Sequence, residues 1–149
     1  MTHQRLPSWR KHGEGVPQFT ILVVDDDPDV LDTVAELLEA GGHTVLRAAS
    51  GMEGVRLCKA QKPHLVLIDF TMPGMDGVAT VQKLKEDPDT RGIPVVVLSG
   101  AIGPDVHELM RAGGLGYIPK PIDPKAFVGL VAQFLKATVS RRDHFKGAR

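Results

Sequence analysis

Short apolar runs that end at polar residues constrain this chain more than any other feature. Leu65-Val66-Leu67-Ile68 runs without alternation into Asp69. Ile21-Leu22-Val23-Val24 ends at Asp25, Asp26 and Asp27, and Ile93 to Leu98 ends at Ser99. Leu115-Gly116-Tyr117-Ile118 leads through Pro119 to Lys120. A strand with one wet face alternates apolar and polar residues. A run that is apolar throughout belongs to a strand covered on both faces, as in a parallel sheet. Ligands of open parallel sheets bind beyond the carboxyl ends of the strands. Strands of this kind, lying side by side, bring carboxylates, a hydroxyl and an ammonium to one edge.

Helix signals fill the spaces between the runs. Asp27-Pro28 offers a cap and a proline at the first helical position, and Val30, Val34, Leu37 and Leu38 follow at helical spacing up to Gly41-Gly42. His43 to Ala48 reads as a less apolar strand nearer the sheet's edge. Ser50 and Glu53 have capping-box spacing, and Pro63 stops that helix. Asp76 is placed to cap a helix with Val78, Val81 and Leu84, closed by Asp87-Pro88. Gly103-Pro104 opens a short helix that ends at Gly113-Gly114. Asp123-Pro124 begins a last helix with a stripe of Phe127, Leu130, Val131, Phe134 and Leu135. Five strands alternating with five helices imply a parallel sheet with right-handed crossovers and helices on both faces.

Charge marks off the ends. Over residues 1–18, Arg5, Arg10 and Lys11 against Glu14 give +2. Over 139–149, Arg141, Arg142, Lys146 and Arg149 against Asp143 give +3, so a neutral chain leaves −5 on 19–138. Residues 1–18 are expected to form a flexible arm and 139–149 a basic tail around one domain, 19–138. An acidic body argues against nucleic acid as a direct partner. No apolar run approaches the ~20 residues of a membrane span, and no secretory signal pattern opens the chain. The single cysteine, Cys58, excludes an internal disulfide and suits a reducing compartment, so a cytoplasmic location is expected.

Asp25, Asp26 and Asp69 fall at strand ends, where clustered carboxylates repel one another unless a cation joins them. Helix capping explains Asp27 but not the other two at that strand end. An oxygen-only ligand set with room for water suits Mg²⁺ or Mn²⁺. Lys120, held between Pro119 and Pro121, is aimed at the acids and can neutralise a phosphoryl oxygen; the Ser99 hydroxyl can donate to the same oxygen. This set suits phosphoryl transfer to a carboxylate.

These residues resemble the response-regulator receiver domain of two-component signalling. The resemblance rests on Val23-Val24-Asp25-Asp26-Asp27-Pro28, on Ile68-Asp69-Phe70-Thr71-Met72-Pro73-Gly74-Met75-Asp76-Gly77, on Leu98-Ser99-Gly100 and on Gly116-Tyr117-Ile118-Pro119-Lys120-Pro121. It implies a flavodoxin-like (βα)5 fold, a doubly wound α/β sheet of five parallel strands in the order 2-1-3-4-5. It implies that Asp69 is the phosphoacceptor and that Asp25, Asp26, Asp69 and the Thr71 backbone carbonyl hold Mg²⁺. Lys120 and Ser99 then hold the phosphoryl oxygens, and Ser99 and Tyr117 are the switch pair. A receiver is a signalling protein that catalyses only its own phosphorylation and dephosphorylation. Its expected partners are a histidine kinase or histidine phosphotransfer protein and a separate downstream protein met by the 99–138 face, with the chain a monomer or weak dimer of the stand-alone type.

The sequence departs from the family's pattern in two places. The Ser99 to Lys120 segment is about one residue shorter than usual, and Ala101 has no polar group to steer a hydrolytic water. Two rival readings stand beside this one. A haloacid-dehalogenase-like phosphatase would use an aspartate after the first strand as nucleophile, but explains the Asp69 strand and the prolines around Lys120 less well and lacks that family's usual cap insert. An inactive receiver-like interaction module conflicts with the full acceptor set.

Overall fold

The computed structural model describes residues 19–69, 77–99, 108, 110–120 and 122–147, with backbone alone at 99 and 139–147. Five strands are present: β1 (Thr20–Val24), β2 (Thr44–Ala48), β3 (Leu65–Asp69), β4 (Val95–Ser99) and β5 (Gly116–Pro119). They form one parallel sheet in the order β2-β1-β3-β4-β5. The expected strand order is therefore that of the molecule. The less apolar strand, β2, lies on one edge, where Thr44 and Arg47 are exposed. Pro119 closes β5 on the other edge, where a missing donor costs least.

Alternation along each central strand sends side chains to two separate cores. Ile21, Val23, Leu65, Leu67, Val96 and Leu98 meet Leu31, Val34 and Leu38 of α1 (Pro28–Ala40) and Phe127, Val131 and Leu135 of the C-terminal helix (Pro124–Gly147). Leu22, Val24, Val66, Ile68, Val95 and Val97 meet Cys58 of α2 (Gly51–Gln61) and Val81 and Leu84 of α3 (Gly77–Glu86). Both faces are covered, which is why the runs are apolar throughout. Each fully buried Val, Leu, Ile or Phe contributes about 1.5–3 kcal/mol.

The helix signals act as the sequence implies. Asp27 accepts the Asp29 N–H at 3.0 Å, with Pro28 in the first turn of α1. Gly42 (φ 95°) supplies the left-handed turn after that helix. Ser50 accepts the Glu53 N–H at 3.2 Å, and Glu53 reaches back to the Ala49 N–H at 3.3 Å, one residue before the cap itself. Asp123 accepts the Lys125 N–H at 3.3 Å and, through its carbonyl, the Phe127 N–H at 2.8 Å.

The last helix differs from expectation. It runs to Gly147, through most of the stretch expected as a tail after residue 138. Arg141, Arg142 and Lys146 are good helix formers, no proline or glycine interrupts them before Gly147, and basic residues suit a helix carboxyl end. A polar, basic composition was compatible with either state. The arm at 1–18, the Asp76 cap, and all of the short 104–112 helix except residues 108 and 110–112, which are helical, lie outside the described residues. Among the described residues no helix is long and apolar enough to cross a membrane.

Candidate functional site

β1 and β3 are neighbours, and Val24 is in register with Ile68. The residues that follow, Asp25 and Asp69, therefore leave the sheet side by side. Asp25 is 1% exposed and Asp69 5%, whereas Asp26 is exposed. One carboxylate oxygen from each of the three lies within 4.8 Å of the others. Lys120 follows β5 and reaches across β4: its Nζ is 3.1 Å from Asp69 Oδ1 and 3.9 Å from Asp25 Oδ2. Four of the residues expected at the site thus converge on one sheet edge.

Two carboxylates and one ammonium in a nearly dry space leave charge uncompensated. Asp25 Oδ1 accepts the Asp27 N–H at 2.9 Å. Its Oδ2 is buried without a hydrogen-bond partner. Burial is the largest influence on the Asp25 carboxyl and raises its pKa; the Asp27 N–H lowers it, the Asp69 carboxylate raises it, and Lys120 lowers it. The result is a rise from 3.8 to about 6. A buried, unpartnered carboxylate oxygen beside two further carboxylates fits a hard divalent cation with oxygen ligands. Asp25, Asp26 and Asp69 are the residues that would hold it.

β4 ends at Ser99, whose neighbour Leu98 is in register with Asp69, so the Ser99 backbone lies one residue beyond the acceptor level. Ser99 pairs with Pro119, the residue before Lys120. Tyr117 pairs with Val97 and is 36% exposed, on the strand next to the one that carries Ser99. Thr71 lies outside the described residues. Cys58 is buried, with its thiol pushed up to about 11 by burial, which fits a packing residue. Among the described residues the sequence reading missed no member of the charged cluster.

The sequence profile of the response regulator receiver domain matches residues 21–132. The chain is 34% identical over 110 residues to protein PilH of Pseudomonas aeruginosa, covering 72% of this chain and 90% of that one. It is 30% identical over 117 residues to the polar-differentiation response regulator DivK of Brucella ovis, covering 78% and 95%. Among solved structures, a CheY-like response regulator receiver domain protein from Methanospirillum hungatei superposes with a TM-score of 0.78 at 26% identity, over 83% of this chain and 98% of that one.

Proposed function

We propose, because this chain belongs to the response regulator receiver domain family, that Asp69 accepts a phosphoryl group from a phosphohistidine of a histidine kinase or phosphotransfer protein. The observation that carries this reading is the placement of Asp69. It is a nearly buried strand-end carboxylate, 3.1 Å from the Lys120 ammonium and clustered with Asp25 and Asp26.

An Asp69 carboxylate oxygen attacks phosphorus. An O–P bond forms, the P–N bond to the donor imidazole breaks, and the imidazole nitrogen keeps the electron pair. Lys120 already faces the acceptor oxygen, so it offsets charge on the incoming phosphoryl oxygens without rearrangement. Ser99, one residue past the acceptor level on the adjacent strand, supplies a hydroxyl to the same group. Mg²⁺, when bound, offsets negative charge on the phosphoryl group and on the acids. Asp25, Asp26, Asp69 and the Thr71 carbonyl are its ligands in this reading, and Mn²⁺ can replace it.

The product carries new charge and acceptor oxygens at one sheet edge. Ser99 and Tyr117 lie on paired strands and respond together, so that phosphorylation shifts a population between two packings of the 99–138 face, which meets a separate downstream protein. The test is intact-mass spectrometry after incubation with acetyl phosphate. One phosphoryl group is expected in Mg²⁺ and none in EDTA. Labelling that ignores EDTA, or no labelling in Mg²⁺, contradicts the proposal.

A further inference from the structure

We infer that a second site, selective for a phosphate group, lies at the opposite edge of the sheet, in a cavity between the loops that lead into β4 and β5. Its ligand is a phosphate dianion, free or as a small monoester. The site is independent of the phosphorylation chemistry at Asp69: Asp69 is level with Leu98 and Pro94 lines the cavity, so about four residues of strand at ~3.3 Å each, about 13 Å, separate the two.

The cavity has a volume of about 360 Å³ and its walls are mostly polar. That volume is at the small end of ligand sites, and polar walls suit a small, charged occupant. Lys85, Arg91, Gly92, Gly113 and Gly114 contribute to its lining. Lys85 Nζ donates to the Arg91 carbonyl at 3.0 Å and to the Ile93 carbonyl at 2.8 Å. An ammonium has three N–H groups, so one is left over, and both acceptors are neutral. Among the described residues no carboxylate pairs with Lys85 or with Arg91. Of the acids close in sequence, Asp87 is engaged by Lys59 at 3.2 Å, and the exposed Glu86 and Asp89 form no ion pair with Lys85 or Arg91 among the described residues. Burial lowers the Lys85 pKa, as expected for an ammonium held without a counter-charge.

The backbone adds to this. The N–H groups of Gly92 and Gly114 donate to no acceptor among the described residues. A Cβ at Gly92 would meet nothing within 4 Å, so the space beside its Cα is open. Gly113 adopts φ 121°, and a Cβ there would lie 2.8 Å from Lys85 Cγ. The chain therefore lies directly on the lysine stem and fixes the ammonium at the cavity. A purely structural clip explains the two carbonyl bonds of Lys85. It does not explain a second unpaired cation and two unused amides around the same space.

The experiment is a titration of the full chain, at pH 7.5 and constant ionic strength, with inorganic phosphate and separately with glucose 6-phosphate, followed by amide NMR. Saturable shifts are expected at Arg91, Gly92 and Gly114, unchanged in Asp69→Asn. Tighter binding of the monoester identifies a phosphorylated small molecule as the ligand, and tighter binding of inorganic phosphate identifies the free anion. Arg91→Ala, at an exposed position, should weaken binding about tenfold, the loss of one charge-assisted hydrogen bond. Shifts confined to the neighbourhood of Lys120, no saturation, or equal affinity in Arg91→Ala would each overturn the inference. Lys85→Met also loses two carbonyl bonds, so it is read only at temperatures where its spectrum is that of the folded chain.

Discussion

Replacing Asp25 with asparagine should stabilise the metal-free protein at neutral pH. The folded state raises the Asp25 carboxyl from 3.8 to about 6, chiefly by burial. Between about pH 4 and pH 6 the folded protein therefore keeps a proton there that the unfolded chain has released. Stability contributed by this group falls as pH rises through that window and stays lost above it. At ~1.4 kcal/mol for each tenfold change in proton affinity, the loss is on the order of 3 kcal/mol. Asparagine cannot ionise, and its oxygen can still accept the Asp27 N–H, which Asp25 Oδ1 now accepts at 2.9 Å. Lys120 keeps Asp69 as a partner at 3.1 Å. In EDTA at pH 7.5, urea unfolding should show Asp25→Asn more stable than the parent by on the order of 2–3 kcal/mol, with the gap closing toward about pH 4. Saturating Mg²⁺ should stabilise the parent more than the variant. A variant less stable than the parent at pH 7.5 in EDTA, or a gap that does not change with pH, would refute the reasoning.

Lys120→Met removes the ammonium that faces Asp69 and should slow labelling by acetyl phosphate about a hundredfold, without weakening Mg²⁺ binding. A stopped reaction series beside a Mg²⁺ titration separates the two effects, and parental rates would contradict the role. Gly116→Ala places a Cβ 2.6 Å from Phe134 Cε1 and should cost about 1–3 kcal/mol, seen as a lower urea midpoint at unchanged slope. An unchanged midpoint would mean that the C-terminal helix yields freely there. Ser50→Ala removes the acceptor for the Glu53 N–H and should cost about 1 kcal/mol, measured by thermal unfolding.

The parallel sheet and its edge were legible because burial on both faces leaves no freedom in composition. Ile21 to Val24 and Leu65 to Ile68 are all fully buried, so each position had to be apolar. The strand-end acids were legible for the complementary reason: a carboxylate such as Asp69, 5% exposed, is costly unless something requires it. The extent of the last helix was not legible. Its first part carries an apolar stripe that reports packing against the sheet, whereas residues 139–147 have the composition of either a solvated helix or a tail. The cation cavity was equally hidden. Lys85 sits late in α3, Arg91 in the loop after it, and Gly113 and Gly114 follow the fourth-helix region, so no local spacing joins them. Their juxtaposition comes from the pairing of β4 with β5, a long-range contact with no sequence period.

The measurement that tests the central claim most directly locates the phosphoryl group within the chain. After labelling with acetyl phosphate and Mg²⁺, borohydride reduction converts an acyl phosphate to homoserine, and peptide mass spectrometry reads the position. Homoserine at position 69 is predicted, with Asp25, Asp26 and Asp27 intact. Homoserine at any of those three instead would make the first strand's acids the nucleophile and contradict the account.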